Sequence, residues 1–213
     1  EHHIPYQIAD RSLQSEGEVA DAFLAWLDLA DSRLTAPDVL DLLSRPCVAN
    51  AFELEASDIE QVTHWVQELH IHWGQDAAHR AHEHQPALDQ HTWRHGLDRM
   101  LLGIAMAPNT MTGELLAYGE MEGSALTSAQ SLLLFMGLVT DLQDASREAQ
   151  TAQAWSRLLH RVLDEGLRVD DQARWQLDAL GRALRELEAS AALCGFDTPL
   201  SFGAVRWWIR TRL

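Results

Sequence analysis

Beyond a short opening in which Ile4, Tyr6 and Ile8 alternate, every strong apolar pattern in this chain repeats at three and four residues. Alternation places side chains on opposite sides of an extended segment, whereas three- and four-residue spacing stacks them on one side of a helix. Such a sequence cannot bury its apolar surface as a sheet. It specifies an all-α fold, an irregular helical bundle with a short extended N-terminal lead-in.

The caps and stripes mark the helices. Ser15 followed by Glu18 reads as a capping box, after which Val19, Phe23, Trp26 and Leu27 fall on one face. Thr35 caps a shorter helix carrying Val39, Leu40, Leu42 and Leu43, and Pro46 ends it. Ser57 with Glu60 opens another, directing Ile59, Val62, Val66 and Leu69 inward. Trp93, Leu97, Met100, Leu101 and Ile104 form a fourth stripe. Residues 107–126, rich in glycine, read as a loop, after which Thr127 or Gln130 caps the next helix. The run Leu132 to Val139 is apolar nearly all round and marks the central buried helix. Trp155, Leu158, Leu159, Val162 and Leu163 continue the bundle, and Leu177, Leu180, Leu184, Leu187 and Ala191 define a long helix before Gly195. A last helix starting at Ser201 or Gly203 bears Val205, Trp208 and Ile209. The expected organisation is a single helical domain over 1–213: a part at 1–106, the loop at 107–126, and a C-terminal part at 127–213.

Charge narrows the chemistry. Sixteen basic residues stand against 32 acidic ones, a formal net charge of −16, and every basic residue is an arginine. Without lysine there is no Walker A loop, no nuclease core of paired acids with a lysine, and no Schiff-base enzyme. Residues 1–140 hold 6 arginines and 21 acids, while 141–213 hold 10 and 11. Clustered cations drive phosphate binding, so the candidate DNA contacts are Arg157, Arg161, Arg206 and Arg210, with Trp207 among them as a base-stacking candidate. Trp207 and Trp208 are consecutive and cannot both face one core, so one of them is expected to lie against DNA or a neighbouring domain. The other tryptophans, Trp26, Trp65, Trp93, Trp155 and Trp175, read as core.

Eight of the eleven histidines fall between His64 and His95. His91 and His95, four apart, would share a helix face and are weak metal candidates, with no His-Glu-x-x-His and no nearby cysteine to complete a site. The expectation is no metal and no cofactor. Cys47 and Cys194 lie far apart and form no disulfide framework, which favours a reducing, cytoplasmic setting. No apolar run approaches membrane-spanning length, so no membrane partner is expected.

Three ordered runs carry a resemblance: Asp10-Arg11-Ser12 after the Ile4–Ile8 lead-in, Trp73-Gly74-Gln75-Asp76, and Trp93-Arg94-His95-Gly96-Leu97-Asp98-Arg99. Together they resemble the gamma chain of bacterial exodeoxyribonuclease V, the RecC family, and the accessory 2B-type subdomain of superfamily 1 helicase folds. His72 departs from the pattern, which would place an arginine before Trp73. The resemblance makes Tyr6, Asp10, Arg11, Trp73, Gly74, Trp93 and Arg99 structural residues, with the arginines bonding carboxylates or helix-end carbonyls.

It also implies that the chain is a non-catalytic piece excised from a longer protein, continuing past Leu213. The parent would join RecB-like and RecD-like subunits, contact DNA in the assembled complex, split the strands and monitor one for the Chi sequence. In that setting the piece scaffolds the complex and guides DNA. Two other readings stay open on the residues alone. One is a free-standing acidic helical adaptor, the other a metal-dependent hydrolase built on the histidine cluster.

Overall fold

The computed structural model describes residues 17–213 except 108, 109, 120, 122 and 124. Ten helices run in the order α1 (Glu18–Leu29), α2 (Ala36–Ser44), α3 (Pro46–Ala51), α4 (Ala56–Glu68), α5 (Ala77–His82), α6 (Trp93–Ala105), α7 (Ala125–Ser146), α8 (Ala152–Gly166), α9 (Arg174–Leu193) and α10 (Phe202–Arg210) among the described residues. The expected all-α bundle is the fold observed. The segment 107–126 is more than a loop: β1 (Met111–Thr112) and β2 (Leu115–Leu116) pair antiparallel, Met111 opposite Leu116. This hairpin rests on α6, where Tyr118 N–H donates to the Arg99 carbonyl (3.0 Å).

Several helix starts differ from the expected ones, each for a visible reason. The N-cap of α1 is Gly17, which has no side chain to cap with; Ser15 lies outside the described residues. The acceptor comes instead from α9, where Gln176 Oε1 takes the Val19 N–H at 3.3 Å. Helix α4 begins two residues early, with Glu55 N–H donating to Asp58 (2.9 Å) in place of the Ser57–Glu60 pair. Pro46 ends α2 as expected but also opens α3, because its missing N–H costs nothing in a first turn. Thr127 and Gln130 lie inside α7, which begins at Ala125. Thr35 and Ser201 do cap α2 and α10.

The core is one continuous cluster around α1 and α7. Trp26, Phe52 and Phe135 meet with ring centroids 5.2 to 6.4 Å apart, the Phe52–Phe135 pair edge to face. Gly166 of α8 lies against Trp26, since a Cβ there would stand 3.0 Å from the indole ring. Helix α7 does have the length and apolarity of a membrane span, contrary to the expectation from short apolar runs. Its Leu132, Phe135, Val139 and Leu142 are buried in the bundle, the pattern of a core helix.

One expected core tryptophan and part of one expected core stripe face solvent. Trp175 is 51% exposed because α9 turns Gln176, Leu180, Leu184 and Leu187 inward, leaving position 175 a hundred degrees off that face. On α6, Trp93 and Met100 are buried, yet Leu101 and Ile104 are each 44% exposed. The hairpin packs on one flank of α6, and α7 borders the other across a groove that leaves Leu101 exposed.

Candidate functional site

Two of the motif runs, 73–76 and 93–99, meet at the junction where the α1–α2 link, the α4–α5 link and the start of α6 cross. Gly74, at φ +87°, donates its N–H to the Arg33 carbonyl (2.9 Å) and accepts from Trp93 N–H (3.0 Å). Ala36 N–H donates to the His72 carbonyl (2.8 Å), and His72 N–H to that of His91 (3.0 Å). The Trp93 indole N–H reaches the Leu34 carbonyl at 2.9 Å. Leu34, His70 and His91 all hold positive φ here, each at a cost of roughly 1–3 kcal/mol. The crossing backbone bonds and the buried Trp93 hold that strain in place.

Arg80 of α5 locks the junction. Its guanidinium donates to the carbonyls of Leu88 (2.9 Å), Gln90 (2.8 Å) and Trp73 (3.0 Å), and lies 4.7 Å from the Trp73 ring. The side chain is buried, which pushes its pKa down, with Asp89 opposing that shift. The Trp73 ring thus lies beside Arg80, with Arg33 farther off at 5.9 Å. Arg99 likewise bonds a carbonyl, its Nε–H reaching Leu116 at 3.0 Å and fixing the hairpin. Tyr6, Asp10 and Arg11 lie outside the described residues.

The five DNA-contact candidates do not form one free cationic surface. Arg206 reaches Asp31 (3.0 Å) and Asp28 (3.8 Å), and Arg210 also pairs with Asp28, so the two clamp α10 onto α1. Arg161 pairs with Asp141 at 2.8 Å. Exposed pairs of this kind contribute at most about 1 kcal/mol each, but they neutralise charge that phosphate binding would need. Arg157 is exposed on α8. Of the tandem tryptophans, Trp208 packs against the core under Arg212 (5.1 Å), while Trp207 is 66% exposed.

His91 and His95 do not share a helix face. Thr92 is the N-cap of α6 and His91 precedes it at φ +66°, so the four-residue spacing is not helical. His91 Nδ1 bonds the His70 carbonyl at 2.9 Å, and His95 is held below its ordinary pKa by burial, then by Arg99 and His91. Among the described residues no group of three or more His, Cys, Asp or Glu is placed to hold a metal ion. The deeply buried histidine is His79. Its Nδ1 accepts the Gln75 N–H (3.0 Å), which fixes the neutral form, and burial, then Arg147, lowers its pKa.

A family model described as RecBCD enzyme subunit RecC fourth domain matches residues 16–213. The chain belongs to the RecC family. The RecC match runs on through the C-terminal third, beyond the last of the motif runs at Arg99. A RecBCD enzyme subunit RecC of Escherichia coli is 40% identical over 126 residues, 58% of this chain and 11% of that subunit. The RecC of Mycobacterium tuberculosis H37Rv is 33% identical over 109 residues, covering 51% of this chain and 10% of its own length. That of Mycolicibacterium smegmatis is 28% identical over 198 residues, 89% of this chain and 17% of the subunit. The chain therefore spans between about a tenth and a fifth of these RecC relatives.

The residue that sequence reasoning missed in this RecC domain is Arg80. Asp76 stands four residues before it, the spacing of an exposed helical ion pair. Instead Asp76 caps α5 through the His79 N–H (2.8 Å) and faces Arg94 (3.6 Å), leaving Arg80 to turn inward. The glycine before it offers the one hint, since a Cβ on Gly74 would stand 3.2 Å from the Arg80 side chain.

Proposed function

We propose that this chain is a non-catalytic helical piece of a RecC-type gamma chain, serving a RecBCD-type helicase–nuclease in double-strand break repair and recombination. Its part is to scaffold the complex and guide a DNA end, in the position of a superfamily 1 helicase 2B subdomain. The remainder of the gamma chain and the RecB-like and RecD-like subunits are its partners, in the cytoplasm, with no cofactor of its own. ATP hydrolysis and strand cleavage belong to those other subunits, in keeping with a chain that has no lysine at all.

The observation that carries this reading is the family match over nearly the whole chain, 16–213. Charge decides how the piece serves. With a net charge of −16, and Arg161, Arg206 and Arg210 engaged by Asp141, Asp28 and Asp31, it shapes the DNA path through protein contacts rather than by gripping phosphates. Trp207 is then a contact for a neighbouring polypeptide.

Filter binding of the 213-residue chain to a forked duplex, at about 50 and 200 mM salt, tests the reading. Weak binding with a shallow salt slope is expected, together with no ATP hydrolysis or nuclease activity. Tight binding with a steep slope would replace the scaffold with a direct DNA grip.

A further inference from the structure

The uncovered flank of α6 faces α7 across a groove of about 320 Å³. Trp93, Leu97 and Leu101 form one wall, and Leu133, Met136 and Gly137 the other. Trp93, Leu97, Leu101 and Ile104 follow the spacing of a core stripe, yet burial fades along it: Trp93 is enclosed, Leu97 half-buried, Leu101 and Ile104 exposed. An apolar stripe left open on one flank is the form of a surface that receives another helix.

Gly137 supplies a separate observation. Glycine in a helix interior costs up to about 1 kcal/mol relative to alanine, so a structural reason is expected. Gly103 and Gly166 have one: a Cβ at either would collide with Tyr118 or crowd Trp26. Gly137 has none among the described residues. Its φ is not positive, and among the described residues no atom outside the adjoining helix backbone lies within 4 Å of the place its Cβ would take. Its absent side chain keeps the groove open.

The rim sets the chemistry of the occupant. Asp76, Asp98 and Asp141 line it, with Arg94 the one cation among the lining residues. Asp76 pairs with Arg94 (3.6 Å) and Asp141 with Arg161 (2.8 Å), whereas Asp98 makes no ion pair among the described residues, and the chain as a whole carries a net charge of −16. This field repels phosphate and favours a basic side chain beside an apolar one. We propose that the α6–α7 groove is a docking site for an amphipathic helix of a partner polypeptide, with apolar anchors seated between Leu101 and Gly137 and arginines or lysines meeting Asp98 and the rim.

The proposal deepens the scaffold reading, on which it rests for a polypeptide occupant, and the two fail separately. The probe is a fluorescein-labelled helical peptide with leucines at i, i+4 and i+7 flanked by arginines, beside a twin with glutamates in their place. Anisotropy with the 213-residue chain is expected to show the arginine peptide binding at least about tenfold tighter than its twin. Gly137→Phe, which fills the groove without changing charge, and Leu101→Arg are each expected to weaken it about tenfold. Leu193→Arg makes the same charge change on a residue 89% exposed at the end of α9 and is expected to shift affinity by less than about twofold.

Three results overturn the proposal. One is unchanged affinity in Gly137→Phe or, should that variant fail to fold, in Leu101→Arg. Another is equal weakening by Leu193→Arg, which reduces the effect to net charge. A dimer seen by sedimentation and dissolved by Leu101→Arg also overturns it, in favour of a second copy of the chain. Failure here leaves the filter-binding result untouched, and tight DNA binding there leaves the peptide comparison intact.

Discussion

Two glycines in helices of this chain should answer the same substitution with opposite signs. Replacing a mid-helix glycine by alanine removes backbone freedom from the unfolded chain and gains about 0.8–1.0 kcal/mol. At Gly137 nothing opposes that gain, so Gly137→Ala should stabilise the chain by about 1 kcal/mol, about 2–4 °C in Tm for a domain of this size. At Gly103 the new Cβ would stand 1.8 Å from the Tyr118 carbonyl oxygen and 2.9 Å from its carbon. Ordinary contact needs roughly 3.5 Å, so the backbone of the hairpin exit must move by more than about 1 Å. That motion strains two bonds, Tyr118 N–H to the Arg99 carbonyl and Arg99 Nε–H to the Leu116 carbonyl, both 3.0 Å. Losing them costs about 1–3 kcal/mol against a helical gain of about 0.8–1.0 kcal/mol, for a net loss of up to about 2 kcal/mol. Urea denaturation of both variants gives the two signs, and hydrogen exchange at Leu116 and Tyr118 reports whether the hairpin has lifted. Equal stabilisation by both alanines would refute the claim that Gly103 exists to let the hairpin approach α6.

Three further outcomes follow from the buried polar groups. Arg80→Ala strips donors from three carbonyls, two of them on the exposed 85–91 segment where water replaces the bond, so a loss of about 3 kcal/mol is expected; Arg80→Lys should recover only part of it in the same urea titration. His79 is held neutral with its pKa below 6.5, so the unfolded chain binds the extra proton first. Stability should therefore be full above about pH 6.5 and fall as pH drops toward the folded pKa, and His79→Gln should flatten that slope in melts taken across the window. Burial and Glu18 push the Cys47 thiol up to about 11, whereas Cys194 is exposed. Ellman's reagent should thus titrate one thiol in the folded chain and two in urea, with a second fast thiol in buffer contradicting the packing of α3.

The helices were readable because a helix is a local object. Thr35, Ser201 and the apolar spacing of α8 each involve residues within one or two turns, and the structure keeps all three. Errors arose where a distant residue took over a local task. Gln176, 157 positions along the chain, serves the start of α1, and by facing inward it turns Trp175 out to solvent. The histidine pair failed similarly, since a four-residue spacing means a shared face only inside a helix, and α6 starts at the Thr92 cap between His91 and His95.

Composition and periodicity alone determined the fold class and the absence of lysine-dependent chemistry, because these depend only on which residues are present and on neighbours a few positions away; the likeness to the RecC family rests on the motif runs and the family match. Tertiary structure alone decided that Arg80 is buried against Trp73, that Arg210 is bound to Asp28 across 182 positions, and that the apolar stripe of α6 stays half open. Desolvation and ion pairing depend on which surfaces arrive from elsewhere in the chain, and no local spacing encodes that arrival.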